Sequence, residues 1–321
     1  MDPFPKLALV ILGLVLLSLV FGLYYSKEII AKNPFMDRNL LSRGMNKPVI
    51  WLYYDHSDVN SRSWADFGAR SSRALNLPFL NLCYQTIVAQ NPEYRVEVIH
   101  GLTGVAELLG DKDVIPFRLQ NPIASVNEAE MTWIRAAILA KYGGLWLSPY
   151  SVAIRGFGEL PADRIRFYGT DIQETYAGSS GTGVPGLNAI WSPRPEHPLF
   201  IEWEQIARSR LNQQKGGLQI RRDENWDWVA LTSKYSGIEI DVHAELSRKK
   251  GGKRIQLEDL LATGHEGDLP FDIPDYSIYC PIFWPELRDR EMFGWFLRMS
   301  EDQILASDTS IRYLLEMGLL Q

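Results

Sequence analysis

Apolar runs and stretches of helical period alternate along most of this chain. Pro48-Val49-Ile50-Trp51-Leu52-Tyr53-Tyr54 is a continuous apolar run ending in polar Asp55-His56-Ser57-Asp58, which predicts a buried strand followed by a loop. From Pro78 to Gln90 the residues Phe79, Leu82, Cys83, Ile87 and Val88 recur on one side of a helix, and Asn91-Pro92 stops it. Tyr94 to Val98 alternates as a half-buried strand, and Thr103 to Leu109 reads as a short helix before the loop Gly110 to Pro116.

The strongest local signals lie between residues 127 and 152. Asn127 can cap a helix, with Glu130 closing a capping box. Ile134, Ile138 and Tyr142 keep helical spacing, as do Trp133 and Ala137. Gly143 and Gly144 supply a left-handed exit. Leu145-Trp146-Leu147 is a short buried-type strand, and Pro149 forbids its continuation inside a sheet.

Beyond this stretch, Val152 to Ile154 lead into a Gly/Pro loop. Arg164 to Gly169 predicts a strand ending at Thr170-Asp171, and Leu187 to Ser192 predicts another. The glycine-rich segment from Gly178 to Gly186 lacks GxxxxGK[ST] and reads as a loop. Pro198 sits near the first turn of a helix, and Asp308 can cap a last helix running through Met317 with Gly318 behind it. Strands alternating with helices predict an α/β domain, and ligands of open α/β sheets bind at the carboxyl ends of the strands. The break after Leu147 is therefore where chemistry is expected.

Composition narrows the class. A hydrophobic fraction of 46% with 10 Trp and 14 Tyr among 321 residues predicts a packed core. The net charge of −6 gives no support for nucleic-acid binding. Cys83 and Cys280 lack metal spacing and read as buried thiols, not a disulfide framework. Leu7 to Tyr25 carries no charge. As a helix it spans about 28 Å, close to a bilayer core of roughly 30 Å, which predicts a single-pass anchor in a lipid bilayer. Residues 1–25 are then the anchor, 26–47 a juxtamembrane linker and 48–321 the domain. Lys27, Lys32, Arg38 and Arg43 outweigh Lys6, so the large domain is expected on the cytosolic side. The absence of any Asn-x-Ser/Thr sequon agrees.

Arg135, Leu139, Tyr142, Gly143, Gly144, Trp146 and Leu147 stand in the register of a known motif. The chain here resembles glycosyltransferases of the DxD sugar-binding-region and capsular-polysaccharide-synthesis families. The resemblance extends over about 48–210, through the first strand with Trp51, Asn91-Pro92-Glu93-Tyr94, and the Asn188 strand followed by His197-Pro198. It implies the A-type glycosyltransferase fold, a mixed sheet flanked by helices. It also implies descent from enzymes that move a sugar from a nucleotide donor to a glycan or lipid-linked acceptor. By family position the donor would be met by Trp51, Thr132, Arg135, Tyr142, Gly143, Gly144, Ser148, Tyr150 and Asn188.

The acidic positions of that motif are replaced. Thr132 stands for the helix aspartate, and Ser148 and Tyr150 for the two metal-binding aspartates. Mn²⁺ and Mg²⁺ prefer hard, charged oxygen ligands, and the metal would act as a Lewis acid on the departing diphosphate. A hydroxyl and a phenol are neutral at pH 7. No metal cofactor is expected at this corner. Asp171 and Glu174 are candidate catalytic substitutes, and Asp55 and Asp58 can either reach the cleft or cap the next turn. Arg135 can contact the nucleotide or pair with Glu128 or Glu130. The basic loop from Arg248 to Arg254 can hold phosphate or face solvent or membrane. His197 is expected to be structural, and Trp226 and Trp228 stack on a sugar or fill the core. Two functions follow: a membrane-bound glycosyltransferase with a metal-independent donor site, or a catalytically inactive scaffold. The scaffold would contact neighbouring proteins in a membrane-associated assembly, for example a virus particle with an internal membrane.

Overall fold

The computed structural model describes residues 47–55, 78–110, 115–120, 126–170, 185–213, 224–249, 253–263 and 269–320. The chain divides between Asn46 and Lys47, and every described residue belongs to the second unit. The expected anchor Leu7–Tyr25, all of the linker but Lys47, and Asp58, Asp171 and Glu174 lie outside the described residues. Among the described residues no helix is long and apolar enough to cross a membrane.

The elements follow in chain order: β1 (Val49–Tyr54), α1 (Pro78–Gln90), β2 (Arg95–His100), α2 (Gly101–Leu109), α3 (Phe117–Gln120) and α4 (Glu128–Tyr142). Next come β3 (Gly144–Leu147), β4 (Ser151–Ala153), β5 (Ile165–Tyr168), β6 (Ala189–Ser192), α5 (Pro198–Gln213), α6 (Glu224–Lys234) and β7 (Ile238–Asp241). The last part holds α7 (Leu257–Leu260), β8 (Tyr279–Pro281), α8 (Trp284–Asp289), α9 (Gly294–Leu297), α10 (Glu301–Leu305) and α11 (Ser310–Leu319).

Six strands form one mixed sheet in the order β2-β1-β3-β6-β5-β7, and β4 pairs with β8 in a separate ribbon. Five strands of the large sheet run in one direction; β6 alone is antiparallel to its neighbours. The continuous apolar run of β1 is explained by its place between β2 and β3, with both faces covered. On one face Trp51, Tyr53, Trp146, Phe167 and Ile190 pack with Trp133, Ile134 and Ile138 of α4 and with Phe200 and Trp203 of α5. Alternation places Ile50, Leu52, Leu145 and Leu147 on the other face. Trp228 joins the core, its ring centroid 4.7 Å from Phe167 and 4.6 Å from Trp203, both edge-on. Such pairs add about 0.5–1.5 kcal/mol beyond area burial. The side chain of Trp226 lies outside the described residues.

The capping box of α4 forms as expected: Asn127 accepts from the Glu130 amide at 2.9 Å and Glu130 accepts from the Asn127 amide at 2.8 Å. The exit differs in detail. Gly143 has φ 63° and ψ −155°, outside the left-handed helical well, and Gly144 has φ 91°. Such geometry is reserved to glycine. At the carboxyl end Gly318 does not stop the last helix; α11 runs through it to Leu319. A Cβ there would lie 2.2 Å from the Ala153 carbonyl and 2.7 Å from Thr86, so this glycine lets the helix lie against β4 and α1. The residue before α11 is Thr309, one position after the expected Asp308. Val88, expected on the apolar side of α1, is 39% exposed. Cys83 and Cys280 are both free and buried, as read. Burial pushes both thiols well up, out of the reactive range.

Candidate functional site

Parallel strands end on the same edge. The carboxyl ends of β1, β3, β5 and β7 therefore bring Asp55, Ser148, Thr170 and Asp241 to one side, and the antiparallel β6 begins there with Asn188 just before it. Proximity to this edge sorts the predicted residues. Ser148 donates its amide to the Asn188 carbonyl at 2.7 Å, so these two are neighbours. Asp55 accepts the Val126 amide at 2.8 Å and so ties the segment that enters α4.

A carboxylate that no motif announced sits at this corner. The Asn188 side-chain amide donates to Glu245 Oε2 at 3.3 Å, and the Tyr279 hydroxyl lies 3.1 Å from the same oxygen. The Tyr279 hydroxyl also hydrogen-bonds the Tyr168 carbonyl. Burial, reinforced by the Glu245 charge, pushes the Tyr279 phenol well up and keeps it a proton donor. Gly169, with φ 121°, makes room: a Cβ would stand 2.5 Å from Glu245 Oε2. Glu245 is half-buried, anchored where the backbone of Leu246 donates to the Tyr279 carbonyl at 2.8 Å.

Tyr150, which the resemblance sets at the second acidic position, is held differently. Pro149 and Tyr150 turn the chain out of the large sheet into β4. The Tyr150 carbonyl accepts the Ile282 amide at 2.7 Å. Its ring stacks on Trp284, with centroids 5.3 Å apart and planes 6° apart, and meets Tyr54 edge-on at 6.3 Å. Tyr150 is thus built into an aromatic stack.

Arg135 is buried on α4, its side chain 8% exposed. Its Nη2 lies 3.5 Å from Glu128 and its guanidinium 5.7 Å from the Trp146 ring. Its Nε and Nη1 have no hydrogen-bond partner among the described residues. Buried donors in that state are uncommon and cost stability unless a ligand or water meets them. Thr132 is buried one turn away.

Four predicted donor residues lie elsewhere. Trp51, Tyr142, Gly143 and Gly144 gather at the opposite end of β3. Trp51 Nε1 donates to the Gly143 carbonyl at 2.8 Å, and its ring lies 5.3 Å from Tyr142. His197 caps α5 locally, its Nδ1 accepting the Leu199 amide at 3.3 Å. Of the basic loop, Lys249 is paired with Asp259.

Among the described residues at this corner, Ser148 offers a neutral hydroxyl, the Tyr150 ring is stacked, and Glu245 supplies a carboxylate. Among the described residues no three of His, Cys, Asp and Glu come together as a metal cluster. Hard divalent ions need several oxygen ligands at short range.

The chain is similar to solved glycosyltransferases. The PaToxG glycosyltransferase matches at 12% identity and a TM-score of 0.38, over 60% of this chain and 70% of that one. An active-site mutant of LgtC matches at 12% identity and a TM-score of 0.39, over 77% and 92%. Apo GlyE of Streptococcus pneumoniae matches at 9% identity and a TM-score of 0.33, over 81% and 62%. No protein-family profile and no curated protein matches the chain.

Sequence reasoning missed Glu245, Tyr279 and Trp284. The latter two lie in an aromatic and proline-rich run from Phe271 to Pro285, a composition that suits packing but marks no site. Glu245 carries no signal: its neighbours are an ordinary strand exit, and only the tertiary structure joins it to Asn188.

Proposed function

We propose that this chain is a glycosyltransferase-like protein that engages a nucleotide-sugar at the carboxyl edge of its sheet without a coordinated divalent ion. The observation that carries the reading is Glu245, held by Asn188 and Tyr279 at the corner where Ser148 replaces an acidic residue. A carboxylate held by the Asn188 amide, with the Tyr279 hydroxyl sharing its one proton between it and the Tyr168 carbonyl, can accept hydrogen bonds from sugar hydroxyls, or take the proton of an attacking hydroxyl. In such a transfer the acceptor oxygen bonds to the anomeric carbon, and the bond to the nucleoside diphosphate breaks with its electron pair on the phosphate oxygen. The acceptor proton passes to Glu245. The leaving diphosphate needs positive charge, and the unpaired Nε and Nη1 of Arg135 are the donors suited to it.

Calorimetry of the full chain against a panel of nucleotide-sugars tests this. Binding is expected in the presence of chelator, unchanged by added Mn²⁺, and weakened at least about tenfold in Glu245→Gln, the worth of one charge-assisted hydrogen bond. Absence of heat with every nucleotide-sugar, with and without metal, would sink the reading.

A second reading is favoured by the Tyr150–Trp284 stack, which fills the other metal position with packed aromatic surface. On it the chain binds a sugar or a neighbouring protein as a scaffold and turns nothing over. Transfer or hydrolysis of the donor that survives chelation and is lost in Glu245→Gln would eliminate it.

A further inference from the structure

Next to the Glu245 corner lies a cavity of about 190 Å³ between the segment from Glu245 to Leu260 and the segment from Pro281 to Arg290. On one side of it the Ile255 amide donates to the Ser247 carbonyl at 2.8 Å, which joins two lining residues. Most of the charge around it is already spent. Arg290 is held between Glu258 and Glu286, and Lys249 is held by Asp259. Glu245 also lines the cavity and keeps its charge, since its bonds are to the neutral Asn188 and Tyr279.

Arg254 is different. It lines the cavity, it is exposed, and among the described residues its guanidinium has no hydrogen-bond or ion-pair partner. Phe283 lines the same cavity and leaves 54% of its surface open. An unspent guanidinium and an open aromatic face in one cavity, with Ser247 and Gln256 also in the lining, suit a ring that carries hydroxyls and one anionic group.

We propose that this cavity is a subsite for an anionic sugar residue, a uronate or a sugar phosphate, with Arg254 on the acidic group and Phe283 against the ring. It rests on the sugar-transfer reading for its role: Glu245 is shared, so the cavity would present the acceptor to the donor corner.

The test titrates the full chain with trigalacturonate, its neutral methyl ester and glucose 6-phosphate, followed by calorimetry. At least one of the two acids is expected to bind, and trigalacturonate, if it binds, at least about tenfold more tightly than its ester, with binding weakened by salt. Arg254→Gln, a change at an exposed position, is expected to abolish that preference and the phosphate binding while leaving the thermal midpoint unchanged. Equal affinity for acid and ester, a preference that survives Arg254→Gln, or no binding of either acid at millimolar concentration would overturn the proposal. Nucleotide-sugars are titrated into the same samples. Nucleotide-sugar binding with a silent cavity overturns the subsite alone; acid binding with no nucleotide-sugar response overturns the transfer reading and leaves the subsite standing.

Discussion

The two ends of β3 are built on opposite principles. At the Gly144 end everything is contact. Trp51 closes on the Gly143 carbonyl, Tyr142 lies against Trp51, and the Arg194 backbone passes so close that a Cβ on Gly143 would stand 2.7 Å from its carbonyl carbon. At the Ser148 end everything is polar or aromatic and comes from far along the chain: Asn188, Glu245, Tyr279 and Trp284. The first end has room for one arrangement of atoms, because close-packed backbone tolerates no added volume. The second can exchange its chemistry residue by residue while the strand beneath it stays in place.

The largest effect should come from the Ser148 end. Trp284 is 2% exposed and stacked on Tyr150. Trp284→Ala is expected to cost about 3–5 kcal/mol, the usual range for deleting a buried indole. If the corner is a single aromatic plug, Tyr150→Ala in that background adds less than it does alone, with a coupling of about 0.5–1.5 kcal/mol in urea denaturation. Strict additivity would mean that the two rings merely lie near each other, and the scaffold reading would lose its support.

Gly144→Ala probes the other end and is expected to cost about 2–3 kcal/mol. The backbone holds φ 91°, and the new methyl would stand 2.8 Å from the Val49 carbonyl and 2.9 Å from Trp51 Nε1. Nucleotide-sugar affinity of the folded protein should not change, since these atoms lie a full strand away from Glu245. A loss of affinity with little loss of stability would break the division between a packed end and a chemical end.

The same division explains what was legible beforehand. Asn127, Glu130, Gly143, Gly144, Trp146 and Pro149 act through neighbours a few residues away or through the β1 strand, and their roles follow from periodicity, capping and steric rules. The edge bearing Ser148 and Asn188 followed from the rule that parallel strands present ligands at their carboxyl ends. Glu245 did not, because its meaning depends on two contacts, to residues 188 and 279, that no local pattern encodes. Gly318 was misread for the same reason: a glycine near a helix end is ordinarily a stop, and only the Ala153 carbonyl shows that it serves a close crossing. For Arg135 the sequence left open a nucleotide contact or a pair with Glu128 or Glu130; its burial, its Glu128 neighbour and its two unpartnered donors were visible only in the structure.

The smallest effect is a pH dependence at the packed end. The turn from Arg194 to His197 lies over Gly143, with the Glu196 amide donating to the Ala140 carbonyl at 2.7 Å. Burial, and then the Arg194 charge, hold the His197 imidazole below its ordinary value. Its Nδ1 accepts the Leu199 amide, which requires that nitrogen to be unprotonated. The unfolded chain therefore binds more protons between the folded pKa and about 6.5, and stability rises with pH in that window. The contribution is complete above about 6.5 and is lost as pH falls through the folded value. Carboxylates such as Glu202, held low by Lys234 and Tyr235, titrate further down and do not overlap it. Urea midpoints are expected to drop between about pH 7.5 and about pH 5 in the native chain. The drop should be smaller in His197→Asn, whose Oδ1 can accept the same amide hydrogen without titrating. An identical pH slope in the variant would remove His197 from the account and leave the packed end insensitive to acid.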